Sequence, residues 1–423
     1  MYLVPIQVPI YLDGDRKLVT TEWFRSLELL RDSFGGRFGP IAVAAPSLPA
    51  KSASVEQTLV EVPQNTEGLE LFPSFDKRCR ARRFWFHDRA RWQSDLAALT
   101  VRADVVHAGV DDVYRPIAFE GFRIGLRFGK PTVFVQDTDN VVQQRQLVAG
   151  EGPALRAKVG VYTWIYERMC RWGVARADLS LLKGSALIRR YGAYAKNARE
   201  FHDTSFSAAD IVARDELERR LATLSEPRPL RLVYCGRLTG RKGVDRSLEI
   251  LARAFALGAS VEFDVIGDGT ERRGLESLAE SAGIGQRVRF LGSLPYDAAL
   301  LKRLAGYDGL LFTPTAEDTP RMIFDGYAAG LPLVAFNIGY VQERLEQEHA
   351  TFLMPREQIE ESAAGLARLC RNPGQLAELS RSARAAAEYH SAENWYRRRA
   401  EWTIEAVERH TRARGTATVG RAA

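Results

Sequence analysis

The stretch Arg231–Ala256, RLVYCGRLTGRKGVDRSLEILARAFA, decides the fold class. A short apolar run ends at Gly236, a glycine-rich turn follows, and from Val244 apolar residues recur with the period of a helix face. This is a buried strand running into an amphipathic helix. The pattern repeats downstream. VEFDVIGDG precedes ERRGLESLAESAG, RVRFLG precedes YDAALLKRLAG, GLLFTP precedes the segment after Pro320, and PLVAF closes the series. Short apolar strands alternating with helices predict a parallel sheet with helices on both faces.

The first half carries the same theme with weaker punctuation. YLVPIQVPI, GPIAVAA, ADVVHAG, KPTVFV and ADLSLL read as strands, and TEWFRSLELLRDSF and YTWIYERMCRWGVARA as helices. Ser47–Glu70 shows no period and reads as a long loop. Ala222–Pro229, ATLSEPRP, reads as a hinge. The expected division is therefore a first domain over 1–221, a hinge over 222–229 and a second domain over 230–388. A helix over 389–412 and a disordered tail over 413–423 follow. The fold class is α/β: two doubly wound, Rossmann-like domains facing each other across a cleft, with ligands beyond the carboxyl ends of the strands.

Composition narrows the function classes. The chain has 423 residues, 46% hydrophobic and 26% charged, which is ordinary for a globular protein. Four scattered cysteines without a C-x-x-C pair argue against a disulfide framework or a zinc site and fit a reducing compartment. No apolar run is long enough to span a bilayer, so a cytoplasmic location is expected. The net charge of +6 is too modest to require nucleic acid, and no nucleic-acid partner is expected.

The chemistry-bearing residues cluster at predicted strand ends. Arg237 and Lys242 flank a turn opened by Gly236, Gly240 and Gly243; two cations over such a turn suit a diphosphate. Gly267 and Gly269 make a second tight turn that lets backbone approach a ligand; their spacing is not that of a dinucleotide fingerprint. In TPTAEDTPRMIFDGYAAGLPLVAF, Thr319 is a good N-cap and Pro320 suits a first helical position, so a helix is expected over Pro320–Ala329 with Gly330 as its stop. Glu317 precedes that helix and Asp325 stands on its second turn, both able to accept sugar hydroxyls. No Asp, His or Cys cluster with ligand spacing is seen; metal independence and no cofactor are expected, with a nucleotide-sugar as co-substrate.

Taken in order, GRL…KGVD, VIGDG, FLGSL, the E-x7-D of Glu317–Asp325, AAGLPLVAF and the G-x-x-x-E of Gly339–Glu343 resemble retaining glycosyltransferases of family 4 (glycosyl transferases group 1), which have the GT-B fold. The match covers about Arg231 to Glu343. The resemblance implies transfer of a sugar, with retention, from a nucleotide-sugar donor to a glycan or lipid-linked acceptor in polysaccharide or cell-envelope synthesis. It implies that Arg237 and Lys242 hold the donor diphosphate and that Glu317 contacts the donor sugar. Asp325 and Glu343 would bind elsewhere on the donor, Asp325 at the ribose. Leu291 would flank the base, and Thr319, Pro320, Arg321 and Met322 would line the phosphates. His107, at the end of ADVVH, would face the sugar or acceptor, and the C-terminal helix would cross back to the first domain. Family members have glutamate where Asp325 stands, and often glycine where Tyr340 stands. A catalytically silent nucleotide-sugar-binding scaffold and a sugar-nucleotide epimerase are the alternatives.

One charged window stands apart. Phe75–Leu96 holds seven basic residues against three acidic ones. Trp85, Trp92, Leu96 and Leu99 recur at helical spacing, which predicts a helix packed on the sheet. Arg80, Arg82, Arg83 and Trp85 also suit an anionic membrane surface or an acceptor, giving a peripheral protein at the inner face of the membrane.

Overall fold

The computed structural model describes residues 1–53, 58–63, 66–315 and 320–419. The chain divides into two compact units: residues 1–202 with 395–423, and residues 203–394. Both are α/β, as expected.

In the first unit a ten-stranded sheet is built from β1 (Tyr2–Pro5), β2 (Ile10–Asp13), β3 (Arg16–Thr20), β4 (Ile41–Pro49), β5 (Leu59–Glu61), β6 (Leu69–Asp76), β7 (Val105–Gly109), β8 (Thr132–Gln136), β9 (Leu179–Lys183) and β10 (Ala198–Phe201). The parallel core runs β10-β9-β8-β7-β1-β4, with β6 on the far edge of β4. YLVPIQVPI is two strands rather than one. Prolines 5 and 9 lack the N–H a continuous strand needs, and β1 and β2 lie one after the other along the same edge of β4. Ser47–Glu70 is not a plain loop either. It carries the end of β4, a short turn and β5, which pairs antiparallel with β3.

Alternation sorts side chains to the two faces of this sheet. Tyr2, Val4 and Val43 pack with Trp395, Tyr396, Ala400 and Ala406 of the C-terminal helix, whereas Leu3, Ala42, Ala44 and Val106 pack with Phe84, Trp92 and Leu96. The C-terminal helix spans Ala392–Val419, so the expected disorder from 413 is corrected: helix continues to Val419, and residues 420–423 lie outside the described residues. The basic window forms the helix Arg89–Arg102, preceded by a wide π turn over Phe84–Asp88. That turn adds a residue and shifts the register, so Phe84 is buried and Trp85 is 44% exposed. Trp85 therefore leaves the predicted buried stripe, while Trp92, Leu96 and Leu99 keep it.

In the second unit a fully parallel sheet contains β11 (Leu230–Cys235), β12 (Val261–Ile266), β13 (Val288–Gly292), β14 (Gly309–Phe312), β15 (Leu333–Phe336) and β16 (Thr351–Met354). Its order is β13-β12-β11-β14-β15-β16, the doubly wound arrangement in which strand order reverses between the first and fourth strands.

The boundary between units falls at His202/Asp203, not in Ala222–Pro229. Two contacts explain the shift. Val212, Leu217 and Leu221 form a small core with Ala305 and Ala377, and the buried Arg220 donates to the carbonyls of Ala305, Ala329 and Gly330 at 2.7, 2.9 and 2.6 Å. The supposed hinge is itself pinned, because Arg228 grips the buried Asp308 through two bonds of 2.7 and 2.9 Å.

Candidate functional site

The reversal of strand order in the second unit opens a crevice at the carboxyl ends of β11 and β14, and the sequence-predicted residues come from the loops there. After β11 the chain makes one short turn, Gly240–Lys242, before the helix Val244–Ala256. Gly243, at φ 67°, joins the two. A Cβ on it would stand 1.8 Å from the carbonyl oxygen of Thr313, the residue that follows β14. Thr313 in turn donates to the Gly243 carbonyl at 2.7 Å, and its hydroxyl lies 2.7 Å from that of Ser247. The backbone N–H of Thr315 donates to the Arg241 carbonyl at 3.1 Å. The cation-bearing turn and the approach to Glu317 are thus one packed assembly. Arg237 is exposed on it and Lys242 half-buried.

A second close approach locks the neighbouring loop. Gly267 has φ 135°, and a Cβ there would stand 1.9 Å from the Gly236 carbonyl oxygen. Gly236 N–H donates to Ile266 at 2.9 Å, and Leu238 N–H to Asp268 at 2.8 Å. The VIGDG turn therefore lies directly against the Arg237 loop, with Gly269 beside Leu238. Leu291, on β13, is half-buried and packs against the core of this unit.

Glu317 and Thr319 lie outside the described residues. Pro320 is buried and Arg321 exposed, but the helix covers Met322–Ala328 and does not begin at Pro320. The reason is the tight first turn: Ile323 and Phe324 reach back three residues, to Pro320 and Arg321, and the first four-residue bond is Asp325 N–H to Arg321 at 3.3 Å. Met322 is buried in the core, its sulfur against the Gly236 loop.

Asp325 is buried beneath this turn. Burial pushes its carboxyl up to about 6, opposed by a hydrogen bond from the Tyr296 hydroxyl at 2.8 Å and by the Arg321 charge. Cys235, at the end of β11, is pushed up to about 12 by burial and by the nearby Asp325. The sign of the linkage follows. In the unfolded chain an aspartate ionises near ~4, so Asp325 contributes stability that is fully present below that value and lost as pH rises through about 6. Asp325→Asn is accordingly expected to raise unfolding stability at pH 8 by on the order of 2 kcal/mol, with no gain at pH 4. Urea titrations of both proteins at the two pH values check this; equal differences at both would contradict it.

Two predicted residues are placed in the interior. Glu343 is buried and ion-paired with the fully buried Arg344, whose guanidinium lies 5.1 Å from the Tyr340 ring and also binds Glu348 at 2.7 Å. Tyr340 thus packs over a buried cation where glycine would leave a gap. His107 is the third residue of β7, not its end. Its Nδ1 lies 2.5 Å from the buried Tyr2 hydroxyl, and burial, with the Arg399 charge, pulls the imidazole down to about 3. The side chain points into the layer beneath the C-terminal helix, because residues 105, 107 and 109 share that face; the assignment of His107 to an open strand end is corrected. Asp139 caps the helix Asn140–Leu147 and pairs with Arg190 at 3.0 Å, and His202 packs on Trp395, both structural as favoured.

Sequence reasoning missed two polar groups. Tyr296 contacts Asp325 from the loop after β13, with no motif to mark it. Asp111 follows β7 where the first sheet also reverses its order, and accepts the Gln7 N–H at 2.9 Å; burial pushes its carboxyl up to about 7. Its position two residues beyond a strand end was the available signal.

Two doubly wound units, one with a cationic glycine loop locked to the following strand end, define a nucleotide-handling α/β protein of the GT-B fold. Residues 216–386 match the family model described as glycosyl transferases group 1, so the second unit carries a domain of that family. The alpha-D-kanosaminyltransferase of Streptomyces kanamyceticus is 26% identical over 182 residues, 42% of this chain and 46% of that protein. The amylovoran biosynthesis glycosyltransferase AmsK of Erwinia amylovora is 26% identical over 170 residues, 38% of this chain and 40% of that one. These matches span less than half the length of either relative. Anabaena Alr3699/HepE, solved in complex with UDP, superposes with a TM-score of 0.63 at 15% identity, over 96% of this chain and 99% of that one. Among the described residues no helix is long and apolar enough to cross a membrane.

Proposed function

We propose that the chain is a retaining glycosyltransferase that moves a sugar from a nucleotide-sugar donor to a glycan or lipid-linked acceptor in polysaccharide or cell-envelope synthesis. The observation that carries this reading is the locked pair of loops at the β11/β14 crossover, which brings Arg237 and Lys242 to the strand end that leads to Glu317. As the diphosphate departs, negative charge grows on its oxygens. Arg237 and Lys242 meet that charge without a metal ion, and the acceptor hydroxyl attacks the same face of the sugar. Glu317 holds the donor sugar and Asp325 a ribose hydroxyl, for which Tyr296 keeps the carboxylate oriented.

The test is a thermal-shift and sugar-release screen of the whole chain against UDP-, GDP-, ADP- and dTDP-sugars, with NAD as control. HepE is solved with UDP-glucose, which makes UDP-sugars the first to try. Stabilisation by one nucleotide family with slow release of its sugar is the expected result. Stabilisation without release favours the silent scaffold, a reading that Asp325 supports by being shorter than glutamate and already bonded to Tyr296. No response to any donor rejects both.

The same reading places Arg80, Arg82, Arg83 and Trp85 at an anionic membrane surface on the cytoplasmic side. Arg80, Arg82, Arg83, Phe86 and His87 line one depression, and Phe86 and Trp85 are 76% and 44% exposed beside it. Each basic residue at such a surface contributes ~1 kcal/mol. Charge reversal at all three arginines is expected to weaken binding to phosphatidylglycerol vesicles by on the order of 100-fold or more. Unchanged binding in a co-sedimentation assay rejects the patch.

A further inference from the structure

The first unit holds a groove that the transfer chemistry does not use. The helices Arg89–Arg102, Ile117–Arg127 and Pro153–Val174 enclose a cavity of about 1020 Å³. Its lining includes Arg89, Arg123, Arg127, Arg176 and Lys196 against a single carboxylate, Glu120. Glu120 is only 3% exposed. Its Oε1 accepts from Arg89 Nε at 2.5 Å, and its Oε2 is buried with no hydrogen-bond partner among the described residues. Arg123, Arg127 and Lys196 form no ion pair among the described residues, and Arg176 rests over the Trp172 ring at 4.4 Å. A buried acceptor oxygen without a donor and three unpaired cations in one concavity are both unsatisfied as they stand.

We infer that this groove binds an acidic oligosaccharide, a glycan with carboxylates spaced along a hydroxyl-rich chain. The two unsatisfied features select that class together. A hydroxyl donates to Glu120 Oε2, and carboxylates a sugar or two away pair with Arg123, Arg127 and Lys196. A neutral glycan leaves the cations unmet. A polyphosphate chain such as nucleic acid answers the cations but sets its charge against Glu120. A flat bilayer answers the rim and leaves the floor, because Glu120 lies at the bottom of a concave site. Burial raises the Glu120 carboxyl, opposed by Arg89 and Arg123, so those two and Gln93 are the groups that hold its charge. The choice of a glycan, rather than another acidic polymer with hydroxyls, rests on the glycosyltransferase reading. The groove would then anchor the growing chain away from the donor.

The test measures binding and needs no donor, so its failure is separable from failure of the transferase reading. Isothermal titration of the whole chain would use a hyaluronan octasaccharide, the neutral maltooctaose and an oligothymidylate of eight residues. The expected order is hyaluronan at least ~10-fold tighter than either of the others, weakening with added salt. The double variant Arg123→Gln, Arg127→Gln lies on exposed positions and is expected to fold and lose ~10-fold or more of that affinity. Glu120→Gln should weaken binding while keeping the salt dependence, because it removes a hydroxyl acceptor and no cation. Equal binding of hyaluronan and maltooctaose, oligothymidylate as tight as hyaluronan, or an unaffected double variant overturns the inference.

Discussion

Replacing Lys242 with alanine is expected to cut sugar transfer by ~10²–10³-fold, with a much smaller change in thermal stability. Lys242 ends the turn after β11, half-buried, on a backbone fixed by its own N–H bond to Thr239 at 2.8 Å. The turn is further held by Gly243 against Thr313, so the ammonium is delivered by rigid backbone rather than by a free loop. Preorganised charge of that kind acts where leaving-group charge develops and costs no reorganisation during the reaction. Lys242→Arg, which keeps the charge with a different reach, should recover part of the loss. The measurement is kcat and KM for sugar release from whichever donor stabilises the protein. A variant with near-normal kcat would show that the cation only helps binding and would remove it from the proposed mechanism.

Gly243→Ala is expected to cost roughly 3 kcal/mol or more and to abolish donor binding. The added methyl would stand 1.8 Å from the Thr313 carbonyl oxygen, 2.8 Å from its carbon and 3.2 Å from the Pro314 Cα, all backbone atoms. None of these can swing aside as the end of a long side chain could. The residue also has φ 67°, where an alanine is strained by its Cβ. To relieve the clash the β11 turn must part from the end of β14, which separates Lys242 from the strand end that leads to Glu317. Gly240→Ala is the control: nothing lies within 4 Å of the position its methyl would take, and it should be near neutral. Urea unfolding of both variants, with nucleotide titration, distinguishes the close contact from a general sensitivity of the loop.

Much of the fold was legible because its signals are local. The apolar runs of the second half are buried on both faces of a parallel sheet, and each is followed by a turn residue and a helix of matching period; all six strands fall on apolar runs of this half, five of them in the βα series read from it. TEWFRSLELLRDSF matches the helix Thr21–Phe34 because Thr20 caps it and Gly35 ends it. The cation-bearing turn was legible for the same reason, since glycines and basic residues at a strand end are written in adjacent letters.

What the sequence by itself determined is therefore the α/β class, the order of elements in the second unit, and the residue types at its strand ends. Tertiary structure alone decided three further matters. It set the unit boundary, because Arg220 and Arg228 find their carbonyls and carboxylate on segments some eighty to one hundred and ten residues away. It turned His107 inward, because a strand's two faces are equivalent in the letters until a helix from the far end of the chain covers one of them. It gave Asp325 its proton near pH 6, because desolvation depends on what packs around a carboxyl and on Tyr296, twenty-nine residues earlier. Local periodicity encodes what each segment buries; which groups meet, and in what dielectric, is fixed only when distant segments pack.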